Sequence, residues 1–242
     1  MSIGKCIAAI GAIGFALSAQ AATYDLAGDW SDSANPNGAW SFVQGSTALA
    51  HQTSCSPENA FTNSVANGFW GAGCNLNVNT PEVARVTGDG LSSGQTLNDW
   101  MSGDVVLHST NPGTGAPIYV QWTAPSAGAI DYTISAWYAH SLVSRSNDVL
   151  VTLNGTALHS GVVTNGDGRS SALNYAGSLG VLAGDVLAVS FQATSGQPFG
   201  SLAGLSQHIE FTAAVPEPEA WAMLAGGLGI VGLMARRRRQ HA

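Results

Sequence analysis

Apolar and polar positions alternate through the middle of this chain. In DVLVTLNGTALHSGVV (148–163), Val149, Val151 and Leu153 alternate, Asn154-Gly155 interrupts, and a second run begins at Thr156. A period of two places one face of a strand in a core. Asn-Gly supplies the two positive φ angles of a type I′ turn, so the segment predicts a β-hairpin. Ile118, Val120 and Trp122 alternate up to Pro125, followed by Ile130, Tyr132, Ile134 and Ala136. Leu179 and Leu182 lead through Gly184-Asp185 into a run from Val186 to Phe191, and His208 to Thr212 reads as the last strand. Shorter candidates are Thr23 to Leu26, Trp40 to Val43, Gly68 to Trp70, Val83 to Thr87 and Val105 to His108. Helical periodicity is missing from the body, residues 22–214, and Gly, Asn, Asp and Pro punctuate its runs. About ten short strands with turn chemistry between them predict an all-β fold, a single antiparallel β-sandwich of jelly-roll type. The body is long enough for one such domain and shows no repeat or linker. Local pattern does not yield the strand order.

Two apolar stretches stand outside this alternation, one at each end. Residues 1–21 carry Lys5, an apolar run from Ile7 to Leu17, and Ala19-Gln20-Ala21. That is the three-part layout of a secretory signal peptide, cut after Ala21; the competing reading is a membrane anchor or a buried helix. At the other end, Val215-Pro216-Glu217-Pro218 precedes a charge-free run over 220–235 and then Arg236, Arg237, Arg238 and Arg239. Sixteen residues span roughly 24 Å as a helix, short of the ~30 Å hydrocarbon core. Four glycines weaken it as a helix, and four arginines would not pack into a protein core. The expectation is a marginal transmembrane span with its arginines held on the cytoplasmic side and the body outside. The two prolines favour an extended, accessible segment at Val215 to Pro218.

Charge sharpens the division. Lys5 and Arg236 to Arg239 leave the body only Arg85, Arg145 and Arg169 against thirteen acidic residues, a net charge near −10. Such a surface repels phosphate backbones, which excludes nucleic acid as a partner. Once the signal peptide removes Cys6, Cys55 and Cys74 remain, an even pair in an exported chain. A disulfide between them would add about 3 kcal/mol on chain-entropy grounds. Two buried thiols or half a metal site are the alternatives.

An extended recognition peptide, a marginal span and a cationic stop have the logic of a removable C-terminal signal. Val215-Pro216-Glu217-Pro218, Trp221, the apolar run and Arg236 to Arg239 resemble the PEP-CTERM sorting signal of Gram-negative bacteria, also catalogued as the ice-binding-protein C-terminal domain. The resemblance implies exosortase, a membrane cysteine transpeptidase, as partner, and delivery to the cell surface or an exopolysaccharide (biofilm) matrix; it carries no ice binding. More loosely, Asn35-Pro36-Asn37-Gly38-Ala39-Trp40-Ser41 and Gln121-Trp122-Thr123-Ala124-Pro125 resemble phrases in the β-rich bodies of other PEP-CTERM proteins, and those phrases bring no activity.

Candidate chemistry in the body is sparse. Gly90-Leu91-Ser92-Ser93-Gly94 fits G-x-S-x-G, but a nucleophile elbow needs a helix after it, and 95–101 shows no helical face. A Gly/Ser loop is the expectation, with an extracellular hydrolase as the third functional reading. His51, His108, His140, His159 and His208 lack metal-ligand spacing. Asn165-Gly166-Asp167-Gly168 lacks the spaced carboxylates of a calcium loop and reads as a tight turn. Neither metal nor cofactor is expected. Trp30, Trp40, Trp70, Trp100, Trp122 and Trp137, with Tyr119, Tyr132 and Tyr138, are core residues or, where exposed, platforms for sugar rings. The leading expectation is therefore a non-enzymatic exported surface or matrix protein, with a carbohydrate-binding module as alternative.

Overall fold

The computed structural model describes residues 20–53, 65–73, 80–92, 95–96, 98–140, 143–215 and 218–240. Cys55, Cys74, Ala19, Pro216 and Glu217 lie outside them. Residues Ala21–Ala213 form one compact unit. Its strands are β1 (Ala21–Asp25), β2 (Trp40–Gln44), β3 (Thr47–Ala48), β4 (Ala50–Gln52), β5 (Phe69–Gly71), β6 (Glu82–Arg85), β7 (Leu91–Ser92), β8 (Gln95–Thr96) and β9 (Val105–His108). They continue as β10 (Ile118–Thr123), β11 (Gly128–Tyr138), β12 (Ser146–Leu153), β13 (Thr156–Thr164), β14 (Leu173–Val181), β15 (Val186–Ala193) and β16 (Leu202–Ala213). A 3₁₀ turn over Arg169–Ser171 precedes β14, and one helix, α1 (Pro218–Gln240), follows β16.

The last eight strands form a jelly roll. One layer orders them β9-β16-β11-β14 and the other β10-β15-β12-β13, two Greek keys wound together. Earlier strands widen both layers. β6, β5 and β4 continue outward from β9, and β2 and β3 outward from β10. β1 pairs the C-terminal half of β16, from Ala21↔Thr212 to Asp25↔His208, while β9 pairs its N-terminal half. The hairpin at Asn154-Gly155 forms as its sequence predicts: both residues have positive φ, 51° and 80°. Asn154 locks the neighbouring turn too, accepting from the Val186 N–H at 2.8 Å and donating to Asp185 at 2.8 Å.

Period-two alternation places the core. Ile118, Val120 and Trp122 of β10 face Ile130, Tyr132, Ile134 and Ala136 of β11 across the sandwich, in one cluster with Leu205, Ile209 and Phe211. A second cluster lies on the opposite side of the β11–β16 layer, where Trp137 packs with Phe69, Val106, Leu202 and Trp100. The phrase Asn35 to Ser41 is a structural clamp. Asn35 donates to the carbonyls of Phe42 and Leu49 and accepts from the Phe42 N–H, standing in for a strand partner.

Gly204 sits directly opposite Trp137 in the β11–β16 ladder. A Cβ on it would lie 2.0 Å from the indole ring. The ring has little freedom to retreat, because Trp137 Nε1 donates to the Asp99 carbonyl at 2.7 Å and the Arg169 guanidinium lies 4.2 Å from the ring centre. Gly204→Ala should therefore lower stability by about 3 kcal/mol, the upper part of the overpacking range. Gly180→Ala, where nothing lies within 4 Å of the added Cβ, should stay within about 0.5 kcal/mol of the parent. Urea denaturation of both variants checks the contrast.

Candidate functional site

Three places in the chain hold groups able to do chemistry or make contacts: the tail, a buried polar cluster and an open face of the second layer. The tail is helical from Pro218 to Gln240. Extended chain expected through Pro218 is thus corrected by one residue. Proline fits the first helical position because its missing N–H is one of the helix's orphan donors. Met223, Leu224, Leu228, Ile230, Val231, Leu233 and Met234 are all exposed, and they leave the helix without a polar face over that stretch. Arg236 to Arg239 occupy the last turn, where cations suit the negative end of the helix dipole. Among the described residues no helix is long and apolar enough to cross a membrane. The charge-free run of sixteen residues contains four glycines, and about 20 apolar residues is the usual requirement.

The buried cluster ties the two layers together at one end of the jelly roll. Ser109 donates to Asn147 Oδ1 at 2.6 Å and accepts from the Ser201 N–H at 3.0 Å, and Asn147 Nδ2 donates to the Ser201 carbonyl at 3.2 Å. Ser201 Oγ donates to Tyr138 at 2.9 Å and lies 3.5 Å from His140 Nδ1. A serine beside a histidine invites comparison with a nucleophile and its base. Here Ser201 is fully buried and its proton is engaged by Tyr138, so the pair works as an inter-layer tie.

The outer face of the layer β13-β12-β15-β10-β2 carries a recess of about 480 Å³, within the ~300–1,000 Å³ range of small-ligand sites. Cross-strand pairing aligns Leu150, Ser190 and Tyr119 in one row, with Asp148 opposite Gln192 in the next. Tyr119 is half-buried, and Asp148 and Gln192 are exposed. The tryptophans do not contribute. Trp40, Trp70, Trp100, Trp122 and Trp137 are buried, and half-buried Trp30 packs on Phe42 with its Nε1 bonded to Asp32. Tyr132 and Tyr138 are buried as well, which leaves Tyr119 as the aromatic of this face.

The remaining candidates resolve into local structure. Leu91–Ser92 pairs with Gln95–Thr96 as a small hairpin, so a strand follows Ser92 where an elbow requires a helix. Asn165 to Gly168 is a turn in which Asp167 accepts from the Thr164 N–H at 2.9 Å. His51 lies tilted against Trp70, His159 stacks on Tyr175 with Tyr132 at its edge, and His208 touches Asp25 and Glu210. Among the described residues, no three His, Cys, Asp or Glu side chains converge as metal ligands.

Residues 214–239 match the family model of the PEP-CTERM protein-sorting motif, and the chain carries that motif. No curated protein matches the chain. Among solved structures it is similar to the xylan-binding module CBM15, at 11% identity over 81% of this chain and 100% of that one, with a TM-score of 0.31. It is also similar to CBM51 from Clostridium perfringens GH95 in complex with methyl-galactose, at 9% identity over 76% and 99%, TM-score 0.32. A third likeness is to the C-terminal CBM6 of a laminarinase from Zobellia galactanivorans, at 15% identity over 43% and 78%, TM-score 0.26. Likeness at this level carries no ligand and no site to this chain.

His108, next to Ser109 of the buried cluster, makes the fold sensitive to acid. Burial pushes its imidazole down from 6.5 to about 4, against the raising effect of its bond to the Ser109 carbonyl and with a further lowering from Arg145. The unfolded chain takes up this proton near pH 6.5 and the folded chain only near pH 4. Stability from this group is therefore complete above pH 6.5 and declines as pH falls to about 4, by roughly 3 kcal/mol at most. Urea midpoints measured between pH 7 and pH 4 should fall more steeply for the parent than for His108→Gln.

Proposed function

We propose that this chain is an exported protein of a Gram-negative bacterium, sorted by exosortase and delivered to the cell surface or the surrounding polysaccharide matrix, with a body that binds rather than catalyses. The observation that carries this reading is the sorting motif at 214–239, which begins one residue after β16 ends at Ala213. Every described strand precedes it, so removal of the tail leaves the sandwich whole. Residues 1–21 direct the chain across the membrane. A helix apolar around its circumference, closed by four arginines, then holds it briefly while the Pro-Glu-Pro segment is read. The span is short and glycine-rich, which suits a transient anchor better than a permanent one. Replacing Pro216, Glu217 and Pro218 by Ala should block maturation without blocking export. The uncleaved protein should then accumulate in the inner membrane, as read by cell fractionation in hosts with and without exosortase. Normal maturation of that variant, or indifference to exosortase, would overturn the assignment.

A second reading, carbohydrate binding by the body, is favoured by the recess on the outer layer. Tyr119 offers a ring face, and Asp148, Gln192 and Ser160 offer hydrogen-bonding groups around it, the mix that sugar recognition requires. Tyr119→Ala should weaken retention on the polysaccharides of the producing cell about tenfold or more, roughly 1.4 kcal/mol, with the body still folded by circular dichroism. Equal retention of variant and parent would remove this reading and leave sorting untouched.

A further inference from the structure

Apart from β1, five residues that pair only with β16 and end in Asp25, the two layers end in four edge strands among the described residues, and these are not alike. The first layer ends in β14 on one side and β4 on the other, and the second ends in β13 and β3. An open edge offers unpaired N–H and C=O groups to any passing strand, and proteins blunt such edges by shortness, bulges, prolines or charges. β3 and β4 are two and three residues long. β13 is bulged, its register against β12 shifting between His159↔Val151 and Ala157↔Thr152. β14 has none of these protections. It runs nine residues, pairs β11 without a break from Gly128↔Val181 to Ala136↔Leu173, and reads LNYAGSLGV, without charge or proline.

Its side chains suit the approach of another strand. Outward-facing Asn174, Ala176, Ser178 and Gly180 are small and exposed. Inward-facing Leu173, Tyr175 and Leu179 are only partly buried against the main core, and Tyr175 Oη has no hydrogen-bond partner. Charge restricts where a second copy could approach. A body near −10 repels its own copies, yet these nine residues carry none of that charge.

We infer that β14 is a homotypic docking edge, pairing antiparallel with β14 of a second copy so that one layer runs continuously through a dimer. A two-fold axis through Gly177 would set Tyr175 opposite Leu179 of the other copy and Leu173 opposite Val181. The partly buried apolar row would then be covered from both sides. This goes beyond the sorting reading and does not depend on it.

The test uses residues 21–213, which contain every described strand pairing and both apolar clusters. Light scattering on size-exclusion fractions should give twice the monomer mass for the parent. The dimer should strengthen as salt is raised, since screening relieves the repulsion between acidic bodies. Ala176→Lys with Ser178→Lys should halve the mass while the far-ultraviolet circular dichroism stays that of the folded parent, since both residues are exposed and only the bond from Ser178 to Asp131 is given up. A control Lys at exposed Thr133, on neighbouring β11, should leave the dimer intact. A parent that stays monomeric across concentration and salt, or a dimer that survives the double lysine variant, overturns the inference.

Discussion

Everything described in the body hangs on one antiparallel ladder. β11 and β16 pair over eleven positions, from Gly128↔Ala213 to Tyr138↔Ala203. Their inward side chains build the main core, and at one end the same ladder turns Trp137 outward over Gly204 to start the second cluster. β16 is also the strand on which β9 and β1 converge, each taking half of its other edge. The chain then leaves the fold at Ala213, three residues before Pro216 of the sorting motif. A defect in this ladder would loosen both clusters together, and it would free the strand from which the tail departs.

Much of this was legible. Alternation gave β10, β11 and β12 their faces, because the two-residue period of a strand is a local property of sequence, whereas β15 showed only as an apolar run from Val186 to Phe191. Strand order was not legible, since β9 and β16 meet across nearly a hundred residues and nothing local marks the pair. Two-residue strands such as β3, β7 and β8 are too short to show a period at all. Trp137 shows where alternation misleads. Its phase points it away from Ile134, toward solvent on a simple reading, yet Arg169 and Asp99 arrive from distant segments to cover it.

The candidate sites divide along the same line. The tail motif is contiguous, so its parts and their order stood in plain view. The recess around Tyr119 is assembled from the outward positions of four strands. Their convergence waits on topology, which no local pattern carries. The six body tryptophans drew attention as ring platforms because composition counts residues without locating them. Five of them turned out to be buried, filling the space between and behind the sheets.

The acidic surface has a physical origin that bears on how the protein lives outside the cell. Aspartates at turn after turn accept a backbone N–H: Asp25 from Gly28, Asp104 from Met101, Asp167 from Thr164, and Asp185 from Leu182. In Asp185 the Leu182 N–H and the Asn154 amide hold the carboxyl below its usual range. Turn chemistry of this kind favours Asp and Asn, and a body of many short strands needs many turns. The body sets only three arginines against its thirteen carboxylates, and one of them, Arg169, is paired with Asp104. Part of the negative charge therefore follows from the turns, where these four carboxylates sit as the chain reverses. Long uninterrupted strands at the sheet margin escape it, and β14 is the margin strand where that escape leaves an edge unguarded.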